Sequence, residues 1–225
     1  MTATPDVFAG CDMVAFDLDG TLLASHEYAP AAAVQSFVEL MAELGLPHAP
    51  PTIEHVRSCI GQPWQQFYEG LLPEEAKSRA LDFHAAISRR ELDAIDNGRA
   101  RLFEGTQDVL RELARRGYKL ALISNASTAY FEAAIAAFGL REHFSYTECL
   151  GDRDGYPKHA MLASAMQALG ATRACMVGDK AGDFQAALHH GFPCVAMTHG
   201  YGSEEEFALA TVRATAMRDL LDLLR

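Results

Sequence analysis

At 225 residues, 49 % of them hydrophobic, the chain is long enough for one large domain or one domain with an insertion, and too apolar for intrinsic disorder. Its formal net charge is −11, from 30 acids against 19 bases, which excludes a basic surface for nucleic acid or an anionic membrane. The four lysines, Lys77, Lys119, Lys158 and Lys180, leave any anionic substrate to be met by a local cluster of cations.

The five cysteines are scattered and lack metal-ligand spacing, with Cys175 and Cys194 in apolar runs that suit reduced core residues. No stretch reaches membrane-spanning length, and no charged segment followed by an apolar one opens the sequence. The expectation is a soluble cytoplasmic protein, monomeric or homodimeric.

Residues 1–11 show no periodicity and read as a loose leader. The apolar run Met13-Val-Ala-Phe16 reads as a strand buried on both faces, and it ends in Asp17, Asp19, Gly20 and Thr21. In open parallel sheets ligands bind just beyond the carboxyl ends of strands, so Asp17 and Asp19 stand where chemistry is expected. Alternation aims both side chains the same way. Two converging carboxylates repel unless a cation lies between them, and Mg²⁺, a hard cation held by carboxylates and substrate phosphate, suits the arrangement.

From Ala24 to Gly98 the pattern is helical throughout. Pro30 marks a helix start, followed by Val34, Phe37, Val38, Met41 and Leu44 at helical spacing with Gly45 as a stop. Thr52 caps a second helix through Val56, and Gly61-Gln-Pro63 breaks the pattern before Trp64, Phe67, Tyr68 and Leu71. Pro73 opens a long helix with Ala76, Ala80, Phe83 and Ile87 on one face.

Beyond Arg99 helix and strand alternate. Thr106 caps a helix carrying Val109, Leu110 and Leu113, and Lys119 to Ile123 is a buried strand leading into Ser124-Asn125. A helix with Phe131, Ile135 and Phe138 follows, then a strand from Phe144 to Leu150 and a helix with Leu162, Met166 and Leu169. Ala174 to Val177 forms the next strand, ending at Gly178-Asp179. A helix through Ala187-Leu188, a strand from Pro193 to Met197 and a last helix near Met217 to Leu224 complete the set. The pattern predicts an α/β, three-layer, doubly wound parallel sheet. Residues 1–23 and 99–225 are assigned to this core, and 24–98 to a helical insertion over the first strand's end.

Three further stretches carry chemistry. Ser124 and Asn125, at the exit of the second strand, offer a hydroxyl and an amide that suit phosphate oxygens. Lys158 stands at a helix start, where the macrodipole disfavours a cation, so it needs another reason to be there; gripping phosphate while screening carboxylates is one. Gly178-Asp179 closes the fourth strand, and Asp183 follows four residues on at a helix start.

The string Phe16-Asp-Leu-Asp-Gly-Thr-Leu22, with Ser124-Asn125, Lys158 and Gly178-Asp179…Asp183 in order, resembles the four motifs of the haloacid dehalogenase-like hydrolase superfamily. Gly105-Thr-Gln-Asp-Val-Leu110 and Val56-Arg57-Ser-Cys-Ile-Gly61 resemble its helical-cap branch, which contains phosphoglycolate phosphatases. The match departs from the family at His159, where proline is common, and at Ala24, where many relatives carry aspartate. The resemblance implies a Mg²⁺-dependent phosphatase acting on a small-molecule phosphate ester. Asp17 would be the nucleophile and Asp19 the general acid and base. Asp17, the Asp19 backbone carbonyl and Asp179 would hold the metal, with Asp183 behind them, and Ser124, Asn125 and Lys158 would hold phosphate. Arg57, Gln62 and Trp64, around the Gly61 break, are candidates for contacting the leaving group. Two alternatives stay open: a phosphomutase of the same superfamily, disfavoured by Ala29 where such mutases tend to carry histidine, and a catalytically silent phosphate-ester-binding protein. A dehalogenase is disfavoured by Asp19, which those relatives lack.

Overall fold

The computed structural model describes residues 7–151, 153 and 155–225, with the side chains of 64 and 65 left aside. Residues 1–6 of the expected leader, Asp154 and the Trp64 side chain lie outside the described set.

Six strands, β1 (Met13–Phe16), β2 (Lys119–Ser124), β3 (Tyr146–Cys149), β4 (Ala174–Gly178), β5 (Cys194–Met197) and β6 (Val212–Ala214), form one sheet in the order β3-β2-β1-β4-β5-β6. Every pairing is parallel, with β1 central between Lys119 of β2 and Ala174 of β4, both opposite Met13. Parallel strands need helical crossovers that cover both faces, which is why these strands read as unbroken apolar runs. The chain first winds outward from β1 to β3, then returns to the other side of β1 as β4. Its topological switch point therefore lies between the ends of β1 and β4.

Alternation along β1 divides the core. Val14 and Phe16 face one layer, with Leu110 and Leu113 of α5 (Thr106–Arg115), Phe131 and Ile135 of α6 (Thr128–Ala137), and Leu220 of α10 (Leu220–Leu223). Met13 and Ala15 face the other, with Met161 and Leu162 of α7 (Lys158–Leu169) and Phe184 of α8 (Ala181–His189). Residue 17 continues the second parity, which turns Asp17 towards the starts of α7 and α8.

Between β1 and α5 the described chain is helical: α1 (Ala29–Leu44), α2 (Ile53–Cys59), α3 (Trp64–Leu71) and α4 (Ala80–Asp96), with 3-10 turns at Ser25–Glu27 and Glu74–Arg79. This block has its own core, in which Phe37 and Met41 of α1, Val56 of α2, Tyr68 of α3, and Phe83 and Ile87 of α4 pack together. Its two connections to the sheet run side by side. The Ala24 amide donates to the Arg101 carbonyl and the Phe103 amide to the Leu22 carbonyl, both at 2.9 Å, and Arg101 pairs with Glu27.

Several local expectations need correction. The helix predicted from Pro73 is a 3-10 turn followed by α4, because Pro73 is extended and the turn from Glu74 precedes the α-helix. Thr106 is the first residue of α5 rather than its cap; Gly105 holds the cap position, and the Thr106 hydroxyl donates to the Phe103 carbonyl at 2.8 Å. The helix near the C-terminus is a 3-10 turn at Met217–Asp219 continued by α10. Thr52 caps α2 as expected, accepting from the His55 amide at 3.1 Å.

Candidate functional site

Local sequence explains how the acids reach one point. After β1 the chain must turn at once, and Gly20 (φ 78°) makes that turn against a wall that admits no side chain. A Cβ there would lie 2.3 Å from an Asp179 carboxylate oxygen and 2.7 Å from the Tyr201 ring. Asp179 closes β4 across the switch point and is fully buried. Its carboxylate accepts from the Thr21 hydroxyl at 2.9 Å and the Tyr201 amide at 2.7 Å.

Asp183, at the start of α8, accepts from the amides of Asp179 (3.1 Å) and Lys180 (3.0 Å), joining the β4 exit to the helix. Its other oxygen accepts from Lys158 at 2.6 Å, and the same ammonium donates to Asp17 at 2.5 Å. Lys158, 9 % exposed, thus bridges the two acids and places its charge at the strand ends. This supplies the reason its helix-start position lacked in the sequence alone.

Charge is out of balance here. Asp17, Asp179 and Asp183 bring ligand oxygens within 4.8 Å of one another, all buried, against a single ammonium. Burial pushes the Asp17 carboxyl up to about 7; Lys158 works the other way and Asp183 adds to the rise. Burial, then Asp17 and Asp183, likewise hold Asp179 well above the usual carboxylate range. Burial opposes the Lys158 charge, but Asp17 and Asp183 outweigh it and hold the ammonium above its ordinary value. A hard divalent cation among these oxygens would restore the balance, so the donor set fits Mg²⁺.

The Asp19 carboxylate is not one of that three-acid cluster. It accepts from the Tyr130 hydroxyl at 2.7 Å, and Tyr130 in turn shares a 2.6 Å hydrogen bond with Tyr28. Burial raises the Asp19 pKa, while hydrogen bonding from Tyr130 and Ser25 works against the rise.

Asp17, Asp19, Ser124 and Asn125 line one cavity of about 110 Å³ between the strand ends and the helical block. The helical block contributes Gly61, Gln62, Phe67, Tyr68, His84, Ile87 and Glu91. Asn125 also donates its side-chain amide to the Gly61 carbonyl at 2.8 Å. A Cβ on Gly61 (φ 88°) would meet Lys180 Cγ at 2.9 Å, so the helical block rests on the sheet edge at this residue. Lys158, Asp179 and Asp183 are not among the cavity-lining residues. Of the leaving-group candidates, Gln62 reaches the cavity, Arg57 is absent from its lining and has its charge felt at His26, and the Trp64 side chain lies outside the described set. Sequence reasoning missed Tyr130, Tyr201, His84 and Glu91, since none belongs to a motif.

Comparison with known proteins agrees with this geometry. The haloacid dehalogenase-like hydrolase family model matches residues 14–197. A phosphoglycolate phosphatase of Pectobacterium atrosepticum is 29 % identical over 222 residues, covering 94 % of this chain and 91 % of its own. An (S)-2-haloacid dehalogenase of Pseudomonas sp. (strain YL) is 30 % identical over 218 residues, covering 93 % of each chain. Among solved structures, CbbY of Rhodobacter sphaeroides in complex with phosphate is 26 % identical, with a TM-score of 0.77 over 95 % of this chain and 99 % of that one. The chain belongs to the haloacid dehalogenase-like hydrolases. It is an enzyme of the hydrolase class, and the relatives it resembles include the family's phosphatases.

Proposed function

We propose that this hydrolase is a Mg²⁺-dependent phosphatase that cleaves a small phosphate monoester through a phosphoryl group carried on Asp17. The observation that carries the proposal is the buried constellation of Asp17, Lys158, Asp179 and Asp183 at the switch point, with Asp19 beside it in the cavity under the helical block.

A phosphate monoester is a dianion, and a carboxylate approaches it only where cations screen the repulsion. Asp17, the Asp19 backbone carbonyl and Asp179 would hold Mg²⁺, which supplies positive charge against the phosphoryl oxygens. Lys158 adds its ammonium from the other side and keeps Asp17 pointed at the cavity mouth. Asp183 holds Lys158 and the β4 turn in place. Ser124 lines the cavity and would donate its hydroxyl to a phosphoryl oxygen.

In the first step an Asp17 carboxylate oxygen bonds to phosphorus as the bond to the leaving oxygen breaks. Asp19 gives that oxygen its proton, a role suited to an acid whose burial favours the protonated form. In the second step Asp19 takes a proton from water, whose oxygen bonds to phosphorus and frees Asp17 and phosphate. Residues 24–98 serve as a cap that excludes bulk water while the acyl phosphate exists. Phosphoglycolate is the ester that the relatives' names offer first.

Phosphate release from a panel of phosphate esters, with and without Mg²⁺, tests this for the native protein beside Asp17→Asn. Release that needs Mg²⁺ and vanishes in the variant is expected. Release that persists in Asp17→Asn would remove the carboxylate nucleophile from the mechanism.

A further inference from the structure

Among its described residues, the wall that receives the leaving group carries acids and one titratable base, His84, but no permanent cation. Among the described residues, no lysine or arginine lines the cavity, although two acids beyond the nucleophile do: Asp19 from the strand end and Glu91 from α4. Glu91 lies among Tyr28, Tyr68 and Tyr130, and its charge is felt at all three. On the same wall the Tyr68 hydroxyl is hydrogen-bonded to His84 Nδ1, and Phe67 and Ile87 add apolar surface.

We infer that the leaving group of the substrate carries no negative charge and presents a hydrogen-bond donor, an ammonium or a hydroxyl, to Glu91. The inference rests on the phosphatase reading and narrows its substrate class. A carboxylate on the leaving group, as in phosphoglycolate, would be buried beside Asp19 and Glu91 with no lysine or arginine on the described wall to pair with it, and would meet repulsion as soon as either acid ionised. Carboxylate recognition in a closed site ordinarily uses the planar fork of arginine or a lysine, and the described wall offers neither. Burial, with Asp19 adding to it, pushes the Glu91 carboxyl up to about 8, the mark of an acid short of positive neighbours. An ammonium relieves that shortage directly, and a hydroxyl donates to the acid at no charge cost.

Binding to Asp17→Asn, followed by calorimetry in Mg²⁺ buffer, reads the pocket independently of turnover. The probes are phosphoethanolamine, glycerol phosphate and phosphoglycolate. At least one of the first two is expected to bind tenfold or more tightly than phosphoglycolate. Adding Glu91→Gln, which keeps shape and removes the ionisable carboxyl, is expected to narrow that gap at least threefold, with the far-ultraviolet circular dichroism unchanged. Loss confined to phosphoethanolamine assigns the ammonium; loss shared with glycerol phosphate assigns the hydroxyl. Phosphoglycolate binding as tightly as either, or a gap indifferent to Glu91→Gln, overturns the inference. Phosphate release by the native protein from the same three esters reads the reaction separately. A pocket with the expected preference but no release would sink the phosphatase reading alone.

Discussion

Tyr130 gives Asp19 a partner that no motif announces. Its hydroxyl donates to the carboxylate at 2.7 Å and favours the charged form against burial. Tyr130→Phe removes that donor, so the Asp19 pKa moves further up. The limb of the pH–rate profile that reports Asp19 losing its proton should then move to higher pH. The lost hydrogen bond, roughly 0.5–1.5 kcal/mol, should cost about two- to tenfold in kcat near neutral pH. An unmoved limb would mean that Tyr130 is structural only. The same contact shows where sequence reading stops. Asp17, Asp19 and Asp179 are legible because each ends an apolar strand, a pattern contained within a few residues. Tyr130 and Glu91 reach the site only through helix packing from 111 residues and more away in the case of the tyrosine, and nothing in their own neighbourhood marks them.

At the scale of elements, Gly61 is one of the points at which the helical block meets the sheet edge, beside the packing of α4 on α6 and the Tyr28–Tyr130 hydrogen bond. Its positive φ costs other residues roughly 1–2 kcal/mol, and the Lys180 stem fills the space a Cβ would need. Gly61→Ala should therefore loosen the seating of the helical block, lower kcat/KM about five- to thirtyfold and lower the melting temperature by roughly 2–8 °C. A variant with native kcat/KM would show that closure at Gly61 does not limit the reaction. Phe83 holds the block's own core. It is fully buried against Phe37 and Tyr68, so Phe83→Ala should cost about 3–5 kcal/mol in denaturant unfolding. Most of the helices and five of the strands are readable because their apolar spacing is regular; α9 (Glu204–Phe207), a single acidic turn, is not. β6 is not: it has three residues, an arginine at its centre and one neighbouring strand, so its pairing with β5 carries the signal its composition lacks.

For the whole molecule, the placement of charge decides more than its total. The net charge of −11 says nothing of where the acids lie, whereas three of them are buried together at the switch point with one ammonium, which pairs with Asp17 and Asp183. Without a cation, folding holds the Asp17 proton that the unfolded chain releases near its ordinary value of 3.8. The native state thus binds more protons than the unfolded one between about pH 4 and the folded value of about 7. Stability of the metal-free protein should fall as pH rises through that window. A divalent cation reverses the slope, because it binds the deprotonated acids and competes with their protons. Mg²⁺ at a hundredfold excess over its dissociation constant should add about 2.7 kcal/mol, or roughly 5–10 °C in melting temperature for a chain of this size. The gain should be larger at pH 8 than at pH 5 and should largely disappear in Asp179→Asn, which removes one oxygen donor's charge while keeping the side-chain shape. Equal shifts at the two pH values, or an undiminished shift in Asp179→Asn, would place the cation away from these acids. The opposite slopes with and without Mg²⁺ tie the metal to the buried charge imbalance, which a change in activity alone does not.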